Sequence, residues 1–352
     1  MFKFSDLLIP VIQAPMAGGI NTPQLAAAVA NAGGLGSFGF AYSSPEKIDA
    51  DLKATTALLN AAHSKRVNAN FFVFQEPEMP SIDVQNQALA DLRTVLSKRP
   101  ISVEIPKPPY IPNLKDMLEP IWIHRPDVLT FHFGLPEQEF IERAKELGIQ
   151  VGITATCINE ALKIQATGAD FIVVQGIEAG GHRGIFHPDQ ADEKLSVSEL
   201  LKQLQAHVSI PMVAAGGIMN GRDIQGVLAL GAVAAQMGTA FLVASESGAS
   251  PAHRRYVLNE HGRGAQFTQA FSGRPAQGIL NQYMMEMKNK TYLPFPIQNL
   301  LTASMRKWAG EQDDGEYQNL WAGTAYAKAR AMSAQDLMKT LQAELISLKN
   351  HP

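Results

Sequence analysis

The sequence predicts an α/β fold of the (β/α)8 type, a TIM barrel, with a smaller, mostly helical lid domain. Short apolar runs recur eight times along the chain, helical stretches separate them, and four of those helices end on glycine. The runs are mostly continuous rather than alternating, as parallel strands covered by helices require. Strands that alternate with helices in this way build a barrel or an open parallel sheet, and eight of them fit the barrel.

The predicted strands are Pro10–Ala14, Leu35–Ala41, Arg66–Phe72, Val128–Gly134, Gln150–Thr156, Phe171–Gly176, Pro211–Gly217 and Ala234–Phe241. Predicted helices include Pro23–Asn31, Glu137–Leu147, Asn159–Thr167 and Arg222–Leu230. The recurring ends are Ala32-Gly33, Leu147-Gly148, Thr167-Gly168 and Leu230-Gly231. Glycine just past a helix adopts the left-handed conformation that lets the next strand start at once. The uncharged stretch Gly226–Ala244 has the length of a membrane span. Gly231, Gln236, Gly238 and Thr239 divide it into a buried helix and a core strand.

The rhythm breaks twice. Phe74–Arg125 carries Pro106, Pro108, Pro109 and Pro112 and reads as an excursion of helices and loop on the barrel rim, residues 74–125. Ser245–Glu316 has no barrel rhythm and reads as the lid, residues 245–316. The barrel is assigned to residues 1–244, and the closing segments, 317–352, are expected to pack back on it.

Composition narrows the function classes. The chain has 352 residues, 46% hydrophobic and 18% charged, with a net charge of -3. Such a balance offers no electrostatic footprint for nucleic acid. The single cysteine, Cys157, leaves no disulfide framework, and Met1–Ser5 shows no signal-segment pattern. A cytoplasmic enzyme with a small-molecule substrate and no membrane or nucleic-acid partner is expected; oligomeric state is open.

The most informative stretch is Gln175-Gly176-Ile177-Glu178-Ala179-Gly180-Gly181-His182-Arg183-Gly184, directly after Phe171-Ile172-Val173-Val174. Glycines at a strand end bring backbone N–H groups close to a ligand and aim His182 at it. Histidine titrates near neutrality and suits proton handling, and one held between glycines is expected to support little packing. His132, at the end of the fourth strand, is a second candidate or a core residue. His182 and His187 lack acidic or cysteine partners at metal spacing, so no metal is expected. Ser247, Ser250 and Ser272 lack a nucleophile elbow, which argues against a serine hydrolase.

Gly34-Leu35-Gly36-Ser37-Phe38-Gly39 matches a dinucleotide fingerprint literally. It follows a helix and enters a strand, the reverse of the required order, so it is not a Rossmann site. Barrels commonly bind phosphate with the loops after strands seven and eight, here Gly216-Gly217 and Gln236-Met237-Gly238-Thr239. One phosphate site without a second nucleotide fold points to FMN rather than FAD. Ala14, Pro15, Met16 and Asn70 fall at the same barrel end, where they could meet a flavin ring, although each alone reads more readily as structural.

Together these stretches resemble class I nitronate monooxygenases. The likeness rests on Gln13-Ala14-Pro15-Met16, the Asn70 strand, Phe131-His132-Phe133-Gly134, Val174–Gly184, Ala214–Met219, Gln236–Phe241 and Ser272-Gly273-Arg274. It weakens in Phe74–Pro120 and after Gly278. The resemblance implies an FMN-containing barrel that oxidises alkyl nitronates such as propionate 3-nitronate with O2, giving carbonyl compounds and nitrite. It implies FMN contacts at Asn70, Gln175, Gly180, Gly181, Gly217 and Gln236 through Thr239, and His182 as the active-site histidine. A nitronate is already deprotonated, so His182 either positions the anion or acts as a base on neutral nitroalkanes. NAD(P)H-dependent flavin reductases acting on quinones or enoyl-acyl-carrier proteins share the Glu-Ala-Gly-Gly-His core and are the alternative.

Overall fold

The computed structural model describes residues 2–63 and 65–350. Eight parallel strands form the barrel: β1 (Val11–Gln13), β2 (Gly36–Gly39), β3 (Val67–Phe72), β4 (Val128–His132), β5 (Gln150–Ala155), β6 (Phe171–Gln175), β8 (Met212–Ala215) and β9 (Ala234–Met237). The intervening β7 (Gly181–His182) is a two-residue strand in the loop after β6 and belongs to a different sheet. Neighbours run β1-β9-β8-β6-β5-β4-β3-β2. The ring closes where Leu35 N donates to Val11 O (3.0 Å) and Gln13 N donates to Leu35 O (2.9 Å).

Each predicted run contains one barrel strand, but every predicted end except that of β3 overruns, by one to four residues. The β4 ladder stops at Phe133 (φ 77°) and Gly134 (φ 150°), and β8 stops at Gly216 (φ 125°) and Gly217 (φ 71°). After β9 the chain turns into a short 3-10 helix, Thr239–Phe241. Left-handed or coiled backbone leaves the ladder even where apolar side chains continue. The helix-end glycines Gly33, Gly148, Gly168 and Gly231 take φ values of 92°, 76°, 77° and 86°, as the sequence predicts.

The first helix, α1 (Pro23–Asn31), starts on the Thr22 hydroxyl, which accepts from Leu25 N, with Pro23 at its first position. The wall continues with α2 (Pro45–Leu58), while α3 (Ile82–Leu96) lies in the rim excursion. Next, α4 (Leu114–His124) packs against α2 and so belongs to the wall, leaving 74–113 as the chain that departs from it. The wall is completed by α5 (Gln138–Glu146), α6 (Ile158–Ala166), α7 (Val197–Leu204) and α8 (Gly221–Ala229). The uncharged stretch is therefore α8 running into β9.

The barrel interior is apolar at its N-terminal end. Ile12, Leu35, Val128, Phe171, Val173 and Val213 cluster there beneath Phe2 and Leu7, and the Phe4 ring meets Phe171 edge-on at 5.1 Å. That floor is plugged. Above it lies a polar layer. Asn68 Nδ2 donates to Ser37 Oγ (3.2 Å), Thr130 Oγ1 to Asn68 Oδ1 (2.9 Å), and Asn70 Nδ2 to Thr130 Oγ1 (3.0 Å). The open end is therefore the C-terminal one, where barrel sites are built.

Over that end sit α9 (Pro251–Asn259), β10 (Ala265–Thr268), β11 (Ala276–Ile279), α10 (Gln282–Glu286), α11 (Ile297–Leu301) and α12 (Ala303–Glu311). The two strands were not legible in the sequence; they pair antiparallel with β7 in the order β10-β11-β7. Leu92 and Leu96 of α3 share a core with Phe271, Tyr283, Leu301 and Met305, so excursion and lid form a single roof. The last helix, α13 (Ala334–Asn350), packs on α1 and α8. Among the described residues no helix is long and apolar enough to cross a membrane.

Candidate active site

One cavity at the C-terminal rim is lined by every residue singled out in the sequence for cofactor or catalysis. Ala14, Pro15 and Met16 enter from the loop after β1, Asn70 from β3 and His132 from the end of β4. Gln175 closes β6, while Gly180, Gly181 and His182 follow in its loop. Gly216 and Gly217 follow β8, and Gln236, Met237, Gly238 and Thr239 end β9.

The β6 loop is held rigidly. Gln175 Nε2 donates to His182 O (3.0 Å), and its Oε1 accepts from Gly184 N (2.8 Å). Gln277 of β11 donates to the carbonyls of Ile177 (3.1 Å) and Ala179 (2.9 Å). Gly180 is required by close approach, because a Cβ there would lie 2.5 Å from the Ala322 carbonyl carbon. Arg183 is anchored by the Asp192 carboxylate, with Nε to Oδ2 at 2.9 Å and Nη2 to Oδ1 at 3.0 Å.

Several donors facing the cavity have no protein partner. Among the described residues, the backbone N–H groups of Gly216, Gly217, Gly238 and Thr239 donate to no backbone or side-chain acceptor. Thr239 Oγ1 accepts from Gly323 N (3.0 Å), which leaves its proton to donate. The Gln236 side chain makes no hydrogen bond to the described residues. Unpaired N–H donors on glycine turns beside a cavity suit an anionic phosphate, and side-chain amides near Ala14, Pro15 and Met16 suit the polar edge and flat face of a flavin. The donor set fits FMN. No three His, Cys, Asp or Glu side chains of the described residues converge as metal ligands.

His182 is not the loosely packed loop residue expected from its glycine neighbours. Pairing of β7 with β11 sets it opposite Ala276, and its ring lies 5.6 Å from Phe133, 5.8 Å from Phe72, 5.8 Å from Phe295 and 5.7 Å from Trp321. His182 Nε2 is 2.9 Å from Ser272 Oγ. Ser272 Oγ accepts from Arg274 N (3.3 Å) and donates to Arg274 O (3.1 Å). With that proton committed, Nε2 of His182 is the donor and Nδ1 keeps its lone pair. His132 Nε2 donates to His182 O (3.3 Å), so His132 lines the cavity and also braces the loop.

Both histidines are neutral. Burial pushes His182 down to about 3, helped by the nearby His132, Arg274 and Arg306. Burial likewise lowers His132 to about 3, with Arg274 adding to it and the His182 carbonyl opposing. On α9, burial takes His253 to about 4 against its bond to Trp321 O. Unfolded histidine titrates near 6.5, so between that value and the folded ones the unfolded chain binds more protons. The stability linked to these three residues is complete above pH 6.5 and falls as pH drops toward 3. Thermal melts at pH 7.5, 6 and 5 should show a falling midpoint before carboxylates titrate. Replacing His253 with Gln should flatten that decline; an unchanged slope would assign it elsewhere.

Some other lining residues gave no signal in the sequence. Tyr42, Trp321 and Arg306 reach the cavity from segments with no such signal, whereas Phe72 ends the predicted third strand and Ser272, one of the residues that carry the likeness, meets His182 across ninety positions.

A family model described as nitronate monooxygenase matches residues 3–344. The chain belongs to the nitronate monooxygenase family. It is 38% identical to the nitronate monooxygenase of Paraburkholderia phytofirmans over 347 residues, 96% of this chain and 92% of that protein. It is 36% identical to the Pseudomonas aeruginosa nitronate monooxygenase, covering 96% of each. The crystal structure of nitroalkane oxidase from Streptomyces ansochromogenes superposes with a TM-score of 0.91 at 34% identity, covering 99% of this chain and 98% of that one. FabK from Thermotoga maritima, at 23% identity and a TM-score of 0.73 over 98% of this chain and 94% of that one, shows the shared fold alone. As a nitronate monooxygenase family member the chain is an oxidoreductase acting on nitronates.

Proposed function

We propose that this enzyme holds FMN in the rim cavity and uses it to oxidise alkyl nitronates, among them propionate 3-nitronate, with O2 to a carbonyl compound and nitrite. The observation that carries the reading is a single cavity joining unpaired phosphate-type donors to a neutral, caged histidine. Bound FMN supplies the acceptor for the substrate's electrons and the route by which they reach O2. Of the residues lining the cavity, Gly216, Gly217, Gly238 and Thr239 would hold its phosphate, Asn70 and Gln236 would meet the polar edge of its ring, and Ala14, Pro15 and Met16 would cover a face.

The nitronate is already deprotonated, so no proton has to be removed before its oxidation. With its Nε2–H given to Ser272, neutral His182 keeps only the Nδ1 lone pair, which acts as a base on neutral nitroalkanes, while toward the nitronate anion the ring serves to position it by shape. The rings of Phe72, Phe133, Phe295 and Trp321 fix the imidazole beside the cavity. His132 and Gln175 keep the His182 backbone in place through its carbonyl.

Anaerobic mixing of the flavin-loaded enzyme with propionate 3-nitronate should bleach the flavin absorbance, and NADH over the same period should leave it unchanged. Rapid bleaching by NADH together with silence toward every nitronate would replace this reading with an NAD(P)H-dependent flavin reductase.

A further inference from the structure

Arg274 precedes β11, is 4% exposed and does not itself line the cavity. Its guanidinium carbon stands 3.9 Å from the centre of the Phe133 ring. The same ring meets His182 edge-on at 5.6 Å and His132 at 4.6 Å. Arg274 Nη2 donates to the carbonyls of Ile185 and Phe186, in the chain that follows His182. Its Nε is buried and hydrogen-bonds to no described residue. Among the described residues no carboxylate forms an ion pair with it. The acid that opposes it, Glu160 of α6, lies across the Phe186 peptide, whose N–H donates to Glu160 Oε1 (2.8 Å). The other Glu160 oxygen accepts from Thr156 N (2.6 Å) and Thr156 Oγ1 (2.7 Å).

A guanidinium withdrawn from water keeps a field that solvent would otherwise screen. The charges around the two histidines do not cancel it. Arg183 is paired with Asp192, the Tyr42 phenol is held neutral by burial, and Arg306 adds a second positive charge from α12. Among the described residues Glu178 is the only acid lining the cavity, and its carboxylate turns to Val197 N (3.0 Å). Arg274 opposes a proton on either histidine.

We propose that Arg274 is a positioning residue that sets a positive potential at the His182 end of the cavity, so that a planar anion settles there although the imidazole carries no charge. The inference rests on the nitronate reading above only for the identity of that anion. The electron-rich face of Phe133 holds the guanidinium in place, and the Ile185 and Phe186 carbonyls fix its orientation. None of these contacts neutralises its charge. Ser272 and Arg274 thus serve one histidine in two ways, the first by a hydrogen bond and the second by a field.

The test uses nitrate, a planar anion of the size of a nitro group, on the flavin-loaded enzyme and reads its affinity from the flavin spectrum without turnover. The wild type should bind nitrate saturably. Arg274→Gln keeps a donor for the Ile185 carbonyl but removes the charge. It should weaken nitrate about tenfold or more, the scale of two charges roughly 10 Å apart at the effective dielectric of a protein. Arg274→Lys keeps the charge on a different shape and should stay within about threefold of the wild type. Affinity for nitroethane, the neutral counterpart, should change less than about threefold in both variants, because no net charge is involved. A second readout follows the His182 ring by NMR with isotope-labelled histidine: its protonation should move toward neutral pH in Arg274→Gln and not in Arg274→Lys. Equal losses of nitrate in the two variants would make Arg274 a structural anchor of the loop and overturn the proposal. Unchanged nitrate affinity in Arg274→Gln, or no saturable binding by the wild type, would overturn it too. Should Arg274→Gln fail to take up FMN, Arg274→Lys decides: folded with wild-type nitrate affinity it upholds the proposal, and folded but silent it overturns it. If nitrate binding depends on the Arg274 charge while no nitronate reduces the flavin, the potential stands and the nitronate reading fails.

Discussion

His182→Asn is expected to lower turnover per bound flavin at least tenfold, a loss of about 1.4 kcal/mol of transition-state stabilisation. Asparagine retains a hydrogen-bonding end but moves it and loses the ring that four aromatic neighbours hold. Some stability goes with it, of the order of 1 kcal/mol for a partly buried contact. Flavin content should persist, because the unpaired phosphate donors lie on the β8 and β9 loops. Stopped-flow reduction by propionate 3-nitronate, normalised to flavin, reads the effect directly. A variant with normal activity per flavin but a much lower melting point would make His182 structural and pass the role to His132, whose ring also borders the cavity.

Gly217→Val is expected to lose most of its FMN. Gly217 sits at φ 71°, where a side chain costs roughly 1–2 kcal/mol in backbone strain. A Cβ there would also lie 3.2 Å from Glu178 Cβ, closer than ordinary contact. Either effect displaces the Gly216-Gly217 N–H groups from the position an anion needs. The purified variant should be pale, with flavin restored only at high added FMN, while its far-UV spectrum stays that of the barrel. Full yellow occupancy after dialysis would remove this turn from the phosphate site.

The barrel was legible because it is written locally. Each strand is an apolar run of a few residues, and four helix ends carry a glycine whose left-handed φ the structure bears out, at Gly33, Gly148, Gly168 and Gly231. The cavity lining was legible for the same reason, since its residues sit at strand ends within those local patterns. The roof was not. β10 and β11 are four residues each, and Ala265–Thr268 leaves two of its four side chains exposed, so neither carries the periodicity that marks a strand. Contacts such as His182 to Ser272, or Arg274 over the Phe133 ring at 3.9 Å, arise from tertiary packing across about a hundred residues. No spacing rule encodes them. The same packing turned an apparently loose loop histidine into a caged one.

The roof has a consequence for how the molecule assembles. Its core joins Leu92 and Leu96 to Phe271 and Leu301, and Thr291 N donates to Asp91 Oδ2 (3.0 Å) across two hundred positions. Every barrel strand from β4 to β9 lies between those two segments in the chain. Closing so long a loop is entropically unfavourable until the intervening strands have drawn its ends together. Cover and chamber are therefore coupled: the two halves of the roof meet only where the strands between them hold their ends together.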